Sequence, residues 1–257
     1  MLELKNITKV FYPGTVMESK LFEDFSLTVN DGEFLSIVGS NGSGKTTMLN
    51  IICGSLPATS GEVWIGGKNV TRTKDFDRYR YIGRVYQDPS LGTCPHLTIF
   101  ENMSLADHKG GRFGLSAGVN KKRFDFYREQ LAGLGLGLED KMHVRMGTLS
   151  GGQRQAVALL MATLTPLDFL ILDEHTAALD PHTAEVIMQL TDRVVREKKL
   201  TAIMVTHNLR YAAEYGTRLL MMDKGKIVLD VSGEEKKATK TEDILQIFNR
   251  ISIECGN

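Results

Sequence analysis

The chain has 257 residues, 42% hydrophobic and 24% charged, with 31 Lys and Arg balanced by 31 Asp and Glu. That length supports one large domain with a substantial core, and a net charge of zero argues against a general nucleic-acid binder, which is usually basic. No apolar run approaches the roughly 20 residues of a membrane-spanning helix, and three scattered cysteines, Cys53, Cys94 and Cys255, have neither disulfide nor metal spacing.

In chain order, the first third reads mostly as strands. Residues 1–10 alternate and carry Glu3, Lys5 and Lys9, which is not the pattern of a secretory leader and points to a protein of the cytoplasmic side. Phe25-Ser26-Leu27-Thr28-Val29 alternates as well, and Val63-Trp64-Ile65 follows the turn-like Ser60-Gly61. Residues 34–38 form a mostly apolar run ending at Gly39, as a strand buried on both faces would. A helix is expected over residues 45–53, closed by Gly54.

The middle, residues 89–166, carries helical segments and few strand signals, and reads as a helical insertion. Within it a helix is expected over residues 95–103. The glycine-rich, basic stretch 107–123 reads as an exposed loop. The last third returns to strand and helix. Residues 169–172 are a buried strand ending in Asp173-Glu174, and Asp180-Pro181 opens a helix with Asp as N-cap and Pro at the first helical position. A strand over 202–205 ends at Thr206-His207, and residues 219–222 and 227–229 read as a hairpin around Asp223-Lys224-Gly225-Lys226. The tail from 232 is charged, then amphipathic at Ile244, Leu245, Ile247 and Phe248. Strands alternating with helices imply an α/β fold with a mostly parallel sheet. Ligands of such sheets sit at the carboxyl ends of the strands.

Gly39-Ser40-Asn41-Gly42-Ser43-Gly44-Lys45-Thr46 is a phosphate-loop pattern between a strand and a helix. Its glycines let several N–H groups face one anion, and the next helix aims its positive end there. Lys45 would reach the β- and γ-phosphates, Thr46 would ligate Mg²⁺, and Thr47 would touch a phosphate oxygen. Asp173 suits a Mg²⁺ ligand or its outer shell, since hard cations prefer oxygen. Glu174 is the better general base for an attacking water. Leu149-Ser150-Gly151-Gly152-Gln153 precedes a helix over residues 154–162. Ser150 and Gln153 have capping-box spacing, but a cap does not explain two glycines in a first turn, where they cost helix stability. They make sense where a phosphate approaches the backbone.

With these motifs in this order, together with Gln87, Ala178-Leu179-Asp180 and His207, the chain resembles the ATP-binding-cassette (ABC) transporter ATPases over nearly its whole length. The resemblance implies a P-loop NTPase core with an antiparallel β subdomain at about 1–80, an inserted helical subdomain at about 89–166 and a C-terminal tail at about 232–257. It implies ATP and Mg²⁺ as cofactors. Gln87 would touch the metal or the water and relay nucleotide state, and His207 would contact the γ-phosphate. Phe11, or failing that Tyr12, would stack on adenine. Ser150, Gly151, Gly152, Gln153 and Asp180 would meet the ATP of the opposite subunit in a head-to-tail homodimer. Partners would be integral membrane permease subunits and an extracellular substrate-binding protein, not nucleic acid, with the chain peripheral on the cytoplasmic face. His175 stands where the family commonly has Pro, as in a subgroup serving bacterial uptake systems with lipoprotein receptors, some proposed to carry aromatic amino acids. The alternative, a soluble ABC ATPase acting outside transport, usually brings coiled coils, zinc cysteines or two fused cassettes; none is present in the sequence.

Overall fold

Alternation in the N-terminal strands resolves, in a computed structural model describing residues 1–109 and 118–254, into a sheet with one buried face. β1 (Leu2–Phe11) pairs antiparallel with both β2 (Ser19–Val29) and β4 (Ser60–Ile65), and β5 (Lys68–Asn69) closes the edge. Leu2 and Leu4 point inward. A register shift follows Leu4, with Asn6 at φ 50°, and keeps Ile7 inward as well. The antiparallel sheet expected over about 1–80 is therefore drawn from β1, β2, β4 and β5 alone. The intervening β3 (Phe34–Gly39) and α1 (Lys45–Cys53) belong with the second sheet.

That second sheet has six strands in the order β10-β9-β3-β8-β7-β6, with β6 (Ile82–Val85), β7 (Phe169–Asp173), β8 (Ala202–Val205), β9 (Arg218–Asp223) and β10 (Lys226–Ser232). All pairs are parallel except the β9–β10 hairpin. Every residue of β3 is buried, because helices cover the parallel sheet on both faces. On one face Leu35, Ile37, Ile171 and Ile203 pack with Met48, Leu49 and Ile52 of α1, whose far side meets Leu2, Leu4 and Phe22 of the antiparallel sheet. The other face carries Phe34, Leu170, Leu172 and Met204. It packs against α5 (Gly151–Ala162) and α6 (Pro181–Glu197).

Of the remaining helices, α2 (Asp75–Arg78) precedes β6, α3 (Ile99–Asp107) and α4 (Phe124–Ala132) belong to the middle region, and α7 (Leu209–Glu214), α8 (Gly233–Ala238) and α9 (Thr241–Glu254) follow β8. The helix expected over 95–103 begins instead at Ile99. Thr98 caps it, in a capping box with Glu101 that ends the preceding turn. At its ends the stretch 107–123 is regular structure and not loop, although Lys121 and Lys122 are exposed as expected. Asp107 closes α3 and accepts a hydrogen bond from Tyr127 Oη at 2.7 Å, and Lys121–Arg123 form a short 3-10 turn. Residues 110–117 lie outside the described residues. Among the described residues, no helix is long and apolar enough to cross a membrane. The result is a P-loop core with an antiparallel β sheet and inserted helices, as the sequence implies.

Candidate nucleotide site

Four neighbouring parallel strands, β3, β8, β7 and β6, end on the same side. Their carboxyl ends carry the phosphate loop, His207, the Asp173-Glu174 pair and Gln87 respectively. The loop is a tight turn between β3 and α1. Gly44 has φ +105°, and a Cβ there would lie 2.8 Å from the Phe22 ring, so only glycine lets the chain enter α1. No side chain caps α1 and its first turn holds no acidic residue, leaving its N–H groups directed at an anion site. Lys45 is buried. Its Nζ donates to Gly39 O at 2.7 Å, Ser40 O at 2.9 Å and Ser43 Oγ at 3.4 Å. Burial lowers its pKa, opposed in part by Glu174 and Asp173.

The β9–β10 turn braces this loop through contacts that have no local signal in the sequence. Ser40 Oγ donates to Asp223 Oδ1 at 3.0 Å, and the Gly225 N–H donates to Ser43 O at 2.9 Å.

Asp173 and Glu174 follow the apolar run of β7. Glu174 has φ +47°, a left-handed conformation uncommon outside glycine, anchored by its N–H to Val205 O at 2.9 Å. Its Oε1 lies 2.7 Å from His207 Nε2. Asp173 pairs with Arg84 at 2.7 Å between Nη2 and Oδ2. A cavity of about 630 Å³ is lined by Thr46, Gln87, Asp173, Glu174 and Gly151 among others. A hydroxyl, an amide and carboxylates around one space form a set of hard oxygen donors, which fits Mg²⁺ bound mainly through phosphates and water. Phe11 ends β1 half-buried, with Lys9 Nζ 5.1 Å from its ring centre, and Tyr12 is 65% exposed. Neither lines the cavity.

Ser150 caps α5 in the capping box its spacing predicts: Gln153 N–H donates to Ser150 Oγ at 3.2 Å, and Ser150 N–H to Gln153 Oε1 at 3.2 Å. The structure supplies a packing reason for Gly152 besides phosphate approach. A Cβ there would lie 2.2 Å from Thr183 Cγ2 on α6. Asp180 caps α6 by accepting from the Thr183 N–H at 3.0 Å, and that bonding holds its carboxyl below the usual range. His175 is fully buried, with Nε2 3.1 Å from Thr191 Oγ1. Thr191 spends its hydroxyl hydrogen on Ile187 O at 2.7 Å, so His175 is the donor through Nε2–H. Burial pushes its pKa down to about 4.

The ABC transporter family model matches residues 22–177. The chain is 44% identical to the tyrosine transport ATP-binding protein of Clostridioides difficile, over 96% of this chain and 98% of that one. It is 32% identical to a phosphonates import ATP-binding protein of Lactococcus lactis, over 93% and 96% of the two chains. Among solved structures it is similar to an ATP-binding cassette dimer in a post-hydrolysis state bound to ADP and Pi. There the TM-score is 0.76 at 33% identity, covering 90% of this chain and 98% of that one. The ADP conformation of a cassette of an ABC transporter gives a TM-score of 0.79 at 26% identity, over 100% and 99%. The chain belongs to the ABC transporter ATPase family, an ATP-binding fold whose members hydrolyse ATP.

Proposed function

We propose that the chain is the ATP-hydrolysing subunit of a membrane importer of a small solute, acting as a head-to-tail homodimer. The observation that carries this reading is the Glu174–His207 contact of 2.7 Å beside the phosphate loop. In it a carboxylate on a strained backbone is held by a neighbouring strand's imidazole. Glu174 takes the proton of the attacking water as that water's oxygen bonds to the γ-phosphorus and the bond from that phosphorus to the β–γ bridging oxygen breaks, so that ADP leaves with the bridging oxygen and inorganic phosphate is formed. His207 orients Glu174 and faces the γ-phosphate. Lys45, Ser40, Asn41, Ser43 and Thr47, with the loop glycines Gly39, Gly42 and Gly44, hold the phosphates, and Phe11, flanked by Tyr12, receives the adenine. Thr46, Asp173 and Gln87 would hold Mg²⁺, which when bound would neutralise charge on the β- and γ-phosphates. The partner's Ser150, Gly151, Gly152 and Gln153 complete the site from the other side, with Asp180 at the subunit contact.

A second cavity of about 380 Å³ adjoins the first and is lined by Tyr79, Val85, Leu91, Cys94, Leu105 and Met161 among others. In this reading it receives a cytoplasmic segment of the permease, and Gln87 passes nucleotide state to it. The tyrosine-transport relative and the family's lipoprotein-receptor subgroup together favour an amino acid as the solute, delivered by an extracellular binding protein. The site of action is the cytoplasmic face of the membrane, without nucleic acid. Affinity purification from detergent-extracted membranes tests the assignment: permease subunits co-purifying with the chain support it. Recovery with ribosomes or DNA instead overturns it.

A further inference from the structure

β6 is apolar at Ile82 and Val85 but carries Arg84 between them. The Arg84 side chain is only 8% exposed and that of Asp173 15%. Besides its 2.7 Å contact with Asp173 Oδ2, Arg84 donates through Nη1 to Asn50 Oδ1 of α1 at 3.0 Å, and lies 3.8 Å from Cys53 Sγ. The Tyr86 ring sits 4.8 Å from the guanidinium carbon, and the Tyr86 carbonyl accepts from Gln155 Nε2 of α5 at 3.0 Å. Arg84 lines both the nucleotide cavity and the adjoining groove. The guanidinium is thus fixed from α1, β7 and the segment leading to Gln87, and the place in which it is fixed is against a carboxylate that faces the site.

A carboxylate enclosed to this degree is costly without a counter-charge. Arg84 supplies one that cannot be shed by deprotonation. A divalent cation approaching Asp173 therefore meets an oxygen whose charge is already matched, together with a fixed like charge beside it. We propose that Arg84 is a built-in competitor for the metal at Asp173. It holds the carboxylate in place when no metal is there and keeps the protein's own cation affinity low, so that Mg²⁺ is retained only together with the phosphates of a nucleotide. Metal and nucleotide then arrive and leave as a unit. The inference rests on the reading of Asp173 as a magnesium ligand.

The test is Mn²⁺ binding to the full chain without nucleotide, followed by electron paramagnetic resonance, alongside thermal melts with EDTA or millimolar Mg²⁺. Arg84→Met removes the competing charge but keeps an unbranched chain of similar reach. It is expected to bind Mn²⁺ at least about tenfold more tightly than wild type, and its melting temperature becomes Mg²⁺-dependent where that of wild type is not. Arg84→Lys keeps the charge and loses the fork, so it stays close to wild type in both readouts. Adding Asp173→Asn to Arg84→Met erases the gain. Should Arg84→Met fail to fold in either buffer, Arg84→Gln is measured in the same way with the same expectation. Wild-type Mn²⁺ affinity and a Mg²⁺-independent melt in the uncharged variant overturn the proposal. Asp173→Asn alone separates the two failures. If ADP binding by that variant keeps its full Mg²⁺ dependence, the ligand reading itself falls; if it loses that dependence while Arg84→Met behaves as wild type, only the role of Arg84 falls.

Discussion

His207 Nε2 and Glu174 Oε1 meet at 2.7 Å from the ends of adjacent parallel strands, β8 and β7. The contact depends on the left-handed turn at Glu174, whose N–H is held by Val205, two residues before His207. The register of β7 and β8 therefore brings the two side chains together.

His207→Ala should remove the orienting partner and leave the carboxylate in place. We expect kcat to fall by at least about tenfold, with ATP affinity changed less, since the loop contacts of Lys45 are untouched. Steady-state ATPase assays that resolve kcat from KM check this.

Lys45→Ala should remove the buried cation at Gly39, Ser40 and Ser43. A hydrogen bond to a charged group contributes about 1.5–3 kcal/mol, so nucleotide affinity should fall by about tenfold or more. Calorimetric titration with ATP measures it. Wild-type affinity would remove the loop from the site.

Gly152→Ala places a Cβ 2.2 Å from Thr183 Cγ2. Overpacking of this kind costs about 1–3 kcal/mol, and Thr183→Ser, which deletes the opposing methyl, should recover most of it. Chemical denaturation of the two single variants and the double variant tests the pairing.

His175 makes a pH prediction. Its folded pKa of about 4 lies below the ordinary value of 6.5. Between those values the unfolded chain takes up a proton that the folded chain refuses, so stability is fully present above about pH 6.5 and declines as pH falls toward 4. The loss amounts to about 3 kcal/mol over that window. His175→Gln should flatten this part of the profile, seen as melting temperature against pH, whatever its effect at neutral pH.

Leu105 is 46% exposed and lines the groove beside the nucleotide cavity. In the assembled complex, Leu105→Glu should abolish solute transport while the ATPase rate of the isolated chain stays within about twofold, because Leu105 does not line the nucleotide cavity and a surface charge there leaves that site intact. Transport retained in proteoliposomes would move the permease contact elsewhere.

Much of this arrangement was legible in the residues. The helix over 45–53, its Gly54 stop, the Asp180-Pro181 start and the strand over 202–205 follow from local signals that tertiary packing reinforces. The misplaced helix start at 95 had its correction in view, since Thr98 and Glu101 have capping-box spacing. Partners across the fold were not legible. Nothing local says that Asp223 and Gly225 brace the phosphate loop across 183 residues from Ser40, or that Thr183 excludes a side chain at Gly152. Arg84 did leave a trace, a charge inside an apolar strand, but its meaning required knowing that β6 lies beside β7.

The most direct measurement is sedimentation of Glu174→Gln with and without saturating ATP. The substitution keeps the size of the side chain and its hydrogen bonding while removing the base, so hydrolysis should slow by about 10²–10⁴-fold. ATP should remain bound, because Lys45 and the loop are unchanged. The account predicts an ATP-dependent dimer that Ser150→Arg, added in the same chain, abolishes by blocking the opposite phosphate. A Glu174→Gln chain that stays monomeric in ATP, both alone and in the assembled complex, or that hydrolyses ATP at the wild-type rate, would contradict it.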